Sequence, residues 1–315
     1  MLFPVSGVET NPLLPPLVAL CVSFLTSMGG VSGAFLLLPF QVSVLGYSSP
    51  SVSATNQLFN IVAIPSGVYR YIREGRMVWP LTWVVVIGTL PGVLLGAIIR
   101  VRWLPDPTHF KLFAACVLGW IGVRLCRDLL RKGAPGSNKA AAEERFRELV
   151  RTHKSRSEGN QSLPAVQVLR CSLKRIRYDF YGETYEFSTA GLFFLSLVVG
   201  VVGGVYGIGG GSIIAPFLVV VFGLPVYTVA GAALMGTFVT SVAGVVFYQA
   251  IAPLYPQQTV APDWTLGILF GLGGMVGMYL GARCQKHVPA KAIKWMLASI
   301  ILATAGKYVL EFLLK

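Results

Sequence analysis

The stretch Met28-Gly29-Gly30-Val31-Ser32-Gly33-Ala34-Phe35-Leu36-Leu37-Leu38-Pro39-Phe40 returns 177 residues later as Val205-Tyr206-Gly207-Ile208-Gly209-Gly210-Gly211-Ser212-Ile213-Ile214-Ala215-Pro216-Phe217. In both copies a Gly-x-x-Gly is followed, after five residues, by Pro-Phe. No Asp, Glu, Lys, Arg or His occurs between Thr10 and Tyr69, or between Phe187 and Pro262, so both copies sit in long charge-free runs. A soluble fold cannot cover such runs, whereas a bilayer accepts them as successive helical passes. Of the 315 residues 54% are apolar and 12% charged, against roughly 25% charged in an average soluble domain. The chain reads as an all-α polytopic membrane protein.

Lys and Arg number 26 against 13 Asp and Glu, a net charge of +13. They gather at the ends of apolar segments and in one central loop, which is the positive-inside pattern and not a nucleic-acid patch. Cys21, Cys116, Cys126, Cys171 and Cys284 form no C-x-x-C. They read as buried small hydrophobes, with neither a disulfide frame nor a metal site expected. No cofactor is expected. The first ten residues lack a basic n-region, so no cleaved signal peptide is expected.

Uninterrupted spans are expected over 77–99, 109–130, 264–282 and 290–314, each near the ~20 residues a bilayer needs. Ser51–Tyr69 and Pro225–Gln249 are long enough but carry Ser, Thr, Asn and Gln, as interior helices do. The glycine clusters split two further segments into the arms 13–27 and 34–45, and 188–205 and 212–222. At 1.5 Å per residue, arms of about 11–15 residues reach only about 17–23 Å, short of the ~30 Å hydrocarbon core. Both segments are expected to be re-entrant hairpins, although the 188–205 arm approaches full length. With both as hairpins, Arg70, Arg73, Arg76, the loop after Arg124, Arg283 and Lys286 fall on the cytoplasmic side. Arg100, Arg102, Lys111 and both termini then face outward.

The repeat extends beyond the hairpins. Gly46 aligns with Gly223, Val52 with Val229, Gly67 with Gly244 and Tyr71 with Tyr248. After an eight-residue shift, Gly88, Gly92 and Gly96 align with Gly273, Gly277 and Gly281. Each half is expected to hold a Gly-broken re-entrant hairpin plus three transmembrane helices. An odd number of crossings turns the second half upside down, giving two inverted repeats. The boundaries are 1–132 for the first repeat, 133–187 for a small cytoplasmic insert and 188–315 for the second repeat. The Gly-x3-Gly-x3-Gly faces read as close helix packing, not substrate contact.

On the paired hairpins, on Ser53-Ala54-Thr55-Asn56-Gln57, and on Val229-Ala230-Gly231-Ala232-Ala233-Leu234-Met235-Gly236-Thr237, the sequence resembles the sulfite exporter TauE/SafE family, also called the toluene-sulfonate uptake permease family. The resemblance covers both halves and excludes the central loop. It implies an inner-membrane secondary transporter for sulfite, sulfonates or related organosulfur anions, working without nucleotide hydrolysis and not as an enzyme. Anion identity and direction stay open. A homodimer is compatible with the sequence.

An oxyanion inside a membrane needs hydrogen-bond donors and positive potential, and no Lys or Arg is expected at mid-depth. The second arm of each hairpin offers a helix N-terminus there. Gly29, Gly30, Ser32, Gly33, Gly207, Gly209, Gly210, Gly211 and Ser212 would expose backbone amides as an anion nest; tight turning and close packing are the plain alternative. Side-chain donors would come from the following helices. Ser53, Asn56, Gln57 and Asn60 share one face, as do Thr237, Thr240 and Ser241. Bonding of Thr and Ser to their own helix is the plain alternative. No carboxylate or histidine lies within an apolar span, so a buried proton relay is not expected.

Arg131–Phe187 carries twelve Lys/Arg against seven Asp/Glu. A charged helix is expected over 140–154, and two strands over 166–187 around Tyr181-Gly182-Glu183. Gly30-Val31-Ser32-Gly33 matches the G-x-S-G of intramembrane serine proteases, but His109, His153 and His287 all lie at helix ends or in the loop. Gly207–Ser212 lacks the lysine of a phosphate-binding loop. The remaining alternative is an anion-selective channel.

Overall fold

A computed structural model describes residues 1–28, 31–73, 77–130, 166–172, 174–180, 183–222, 224, 226–284 and 290–314. Ten helices lie among them. The first half holds α1 (Leu14–Met28), α2 (Ala34–Ser43), α3 (Ser51–Arg73), α4 (Trp79–Arg102) and α5 (Pro107–Leu130). The second holds α6 (Thr189–Tyr206), α7 (Gly211–Val221), α8 (Val226–Ile251), α9 (Trp264–Cys284) and α10 (Ala290–Leu313). Both glycine clusters break the helices where expected, although Gly29, Gly30 and Gly223 lie outside the described residues. So does the helix expected over 140–154.

Local chemistry sets the boundaries. The Ser188 hydroxyl accepts from the Gly191 N–H and starts α6, and Gly207, at φ 77°, ends it with its N–H on Gly203 O. Asp106 receives the Thr108 and His109 N–H groups at the start of α5. The exposed Asp106 carboxyl is held below the usual carboxylate range, first by the bond from the His109 N–H. Asp263 likewise receives the Leu266 N–H at the start of α9. Among the described residues four helices, over Trp79–Arg102, Thr189–Tyr206, Thr228–Leu254 and Trp264–Gly281, are long and apolar enough to cross a membrane. The α6 arm is one of them at 18 residues, whereas α1 has 15.

Helix packing repeats between the halves. Helix α4 lies along α6 as α9 lies along α1, α4 meets α8 as α9 meets α3, and α5 meets α10. The glycine runs make this possible. A side chain at Gly92 or Gly96 would overlap the α6 backbone between Leu197 and Val205, one at Gly88 would strike the Ser196 side chain, and one at Gly273, Gly277 or Gly281 would overlap α1 between Pro16 and Ser27. In both pairs the contacts advance in step, so the paired helices run parallel. The glycines serve packing, as read from their spacing.

The structure corrects two expectations and adds one element. The insert's sheet has three antiparallel strands, β1 (Gln167–Cys171), β2 (Arg175–Phe180) and β3 (Glu183–Ser188), because β1 also pairs antiparallel with β2. A two-stranded ribbon, Leu2–Phe3 with Val8–Glu9, was not foreseen; the Ser6 N–H and hydroxyl both donate to Asp263. Cys21 and Cys116 are exposed on outward helix faces and do not pack as core hydrophobes. The sheet docks through buried Tyr178, whose hydroxyl pairs with that of Thr228 at 2.9 Å, and through Phe187 edge-on to Phe222.

Candidate functional site

Helices α3 and α8 cross at the centre, and their polar faces meet. Tyr248 packs with Ala54, Gln57 lies against Gly244, and Asn60 Nδ2 donates to Ser241 Oγ at 3.3 Å. Rising numbers on α3 meet falling numbers on α8, so the two helices are antiparallel. Ser53, Asn56, Gln57, Asn60, Thr237, Thr240 and Ser241 are all fully buried.

Both hairpin tips feed this seam. From the first, Ser32 Oγ donates to Asn60 Oδ1 at 2.5 Å and receives the Ala34 N–H at 3.3 Å. Asn56 Nδ2 donates to Ala34 O at 3.0 Å, and its Oδ1 receives Gln41 Nε2 at 3.2 Å. From the second, Ile208 O accepts from Asn60 Nδ2 at 3.1 Å, and Val205 O accepts from Ser53 Oγ at 3.1 Å. Asn60 therefore ties together both tips and both crossing helices. Gln41 was not singled out in the sequence; its signal was a lone amide in the apolar run of α2.

The tip glycines pack tightly. Gly207 (φ 77°) and Gly209 (φ 73°) adopt left-handed conformations that disfavour side chains. A side chain on Gly207 would also strike Ser53, one on Gly210 would strike Thr89, and one on Gly211 would strike Ala233 O and Thr237. A Cβ on Gly33 would overlap Ser23 and come within 3.0 Å of Phe59. In this arrangement the glycines pack against neighbouring helices. The N-cap residues, Gly33 of α2 and Gly210 of α7, offer no side chain of their own; at α2 the neighbouring Ser32 Oγ takes the Ala34 N–H, and both positive dipole ends lie at the tips.

The hydroxyls divide. Ser241 joins the seam through Asn60. Thr237 Oγ1 bonds Ala233 O at 2.9 Å and pairs with Ser212 Oγ at 3.2 Å, while Ser212 also bonds Ile208 O at 2.9 Å. Thr240 bonds Gly236 O at 2.7 Å and Thr237 O at 3.2 Å on its own helix, so self-capping accounts for it.

Gln57 differs from its neighbours. It is fully buried, yet neither amide atom has a hydrogen-bond partner among the described residues. The 177-residue register sets Gln57 on Leu234 and Gly244 on Gly67. The Leu234 side chain lies 3.5 Å from where a Cβ on Gly67 would stand, just as the Gln57 amide lies over Gly244. One packing motif thus occurs twice, once with an apolar side chain and once with an amide.

Among the described residues no group of three or more His, Cys, Asp or Glu could hold a metal ion. Comparison with curated proteins and with solved structures gives no match. The family described as sulfite exporter TauE/SafE matches residues 16–308, which takes in both glycine-broken hairpins, the crossing helices and the insert. The chain therefore belongs to the sulfite exporter TauE/SafE family of membrane transporters.

Proposed function

We propose that the protein moves sulfite, sulfonates or related small organosulfur oxyanions across the inner membrane by alternating access of two inverted repeats. The substrate binds along the α3–α8 seam. Ser32, Asn56, Gln57 and Asn60 donate to its oxygens, and the N-termini of α2 and α7 supply the positive potential. The observation that carries this reading is Gln57. Burying an amide without partners costs on the order of 1–3 kcal/mol, and the equivalent Leu234 demonstrates that an apolar side chain packs well in such a place. An amide kept there at that cost serves a polar ligand.

Helix direction supports the inverted arrangement. Two full crossings in place of the hairpins would give each half an even number of passes, and α3 and α8 would then run the same way. Their antiparallel crossing, with α1 parallel to α9, agrees with three passes and one hairpin per half. In this topology the insert at 133–187 and its sheet are cytoplasmic and both termini lie outside. The seam is built from neutral donors, so the anion moves down its gradient or enters with a proton.

The test is sulfite counterflow in proteoliposomes, comparing wild type with Gln57→Leu. Saturable counterflow by wild type, with weaker sulfite affinity in the variant, is expected. Single-channel conductance without counterflow would assign a channel instead. Equal affinity in the two proteins would remove Gln57 from the site.

A further inference from the structure

Among the described residues Arg100 is the largest side chain that is fully buried, and it lies in the last turn of α4, where the charge pattern expects an exposed interfacial cation. Its guanidinium stacks 3.8 Å over the centroid of the Phe110 ring. One terminal nitrogen donates to Ser48 O at 2.7 Å and the other to Leu104 O, while Nε has no partner among the described residues. No ion pair to Arg100 occurs among the described residues. The carboxylate of the nearby loop, Asp263, is occupied by Ser6 and by the first turn of α9. A buried guanidinium held only by carbonyls and a ring face keeps its full charge uncompensated.

Its surroundings connect it to the seam. Ala97 and Val101 of α4 pack in one cluster with Ala54 of α3 and Tyr248 of α8. The Tyr248 hydroxyl makes a long 3.4 Å bond to Gly204 O, next to the Val205 carbonyl that accepts from Ser53, and a bond of that length is easily exchanged for a better acceptor. Arg100, Tyr248, Ser53, Gln57 and Asn60 therefore follow one another from the end of α4 to the hairpin tips.

We propose that Arg100 and Tyr248 form an anion-recognition station at the end of the α3–α8 seam, where the guanidinium Nε–H and the phenol O–H both donate to a single small oxyanion. This rests on the reading of the seam as the anion path. The uncompensated charge gathers and selects anions; the neutral amides farther in bind them weakly enough to let them pass.

The test is sulfite titration of the purified full-length chain in nanodiscs, with thermal melting as the folding control. Arg100→Gln keeps a donor for the carbonyls but removes the charge, and should weaken sulfite binding by about 10- to 150-fold, as for loss of a charged hydrogen bond. Arg100→Lys restores the charge and should recover most of the loss. A merely structural Arg100 would give the opposite order, with Gln near wild type and Lys impaired, and would overturn the proposal. If Arg100→Gln fails to fold, Tyr248→Phe decides: binding two- to tenfold weaker is expected, and unchanged binding overturns the station. Wild type that binds no sulfite at all would overturn the seam reading, and this proposal with it. Normal wild-type binding with insensitive variants would overturn this proposal alone.

Discussion

Gln57 over Gly244 and Leu234 over Gly67 are the same contact made twice across one pair of helices. In both, a long side chain of one helix lies against a glycine of the other, although a Cβ would strike Gln57 at Gly244 and would only touch Leu234 at Gly67. The Leu234 side satisfies packing and nothing more. The Gln57 side fills the same room with an amide whose atoms have no described partner. The shared geometry holds the two halves together, and the difference between them carries the chemistry. A second contrast points the same way: the register puts Ser23, Thr26 and Ser27 of α1 on Gly200, Gly203 and Gly204 of α6. Both sets are small enough for close helix approach, but the α1 set carries hydroxyls, and that of Ser23 has no partner among the described residues.

The architecture common to the halves should be the hardest thing to alter. Gly92→Leu and Gly277→Leu each drive a side chain into a neighbouring helix backbone, α6 in one case and α1 in the other. Overpacking of this kind costs about 1–3 kcal/mol or more. Both variants should lose monodisperse protein on size-exclusion chromatography, and to the same degree. Intact folding of only one would show that the two interfaces are not equivalent.

Reciprocal exchange comes next. Leu234→Gln should lower the melting temperature, in line with about 1–3 kcal/mol for a new unpaired buried amide. Gln57→Leu should keep or raise it, while weakening sulfite binding about two- to tenfold. Destabilisation by Gln57→Leu would mean that the amide is satisfied in the resting protein, and the contrast between the two contacts would disappear.

Asn56→Ala should have a smaller effect, a few-fold loss of sulfite affinity, because its amide already bonds Ala34 O and Gln41. An affinity within twofold of wild type would restrict recognition to Gln57 and Asn60. The smallest effect is expected for Thr240→Val. That hydroxyl bonds only its own helix, so binding measured by titration should stay within about twofold of wild type. A larger loss would bring Thr240 into the site beside Ser241.

Much of this molecule is legible in its sequence. Charge-free runs determine the membrane class, because no other environment accepts such lengths of apolar chain. The 177-residue register locates both glycine breaks between helices, and glycines at every fourth position identify the packing faces, since helical periodicity is a local property of a segment. The polar face of 53, 56, 57 and 60 follows from the same periodicity. What the sequence could not decide is which polar groups find partners. Asn60 is satisfied by Ser32, Ile208 and Ser241, while Gln57, one turn away on the same face, is not. Arg100, an ordinary interfacial cation by position, is buried because Ser48 and Phe110 close over it. Hydrogen-bond satisfaction along the seam depends on segments up to 181 residues apart in the chain, and only the tertiary structure brings those segments together.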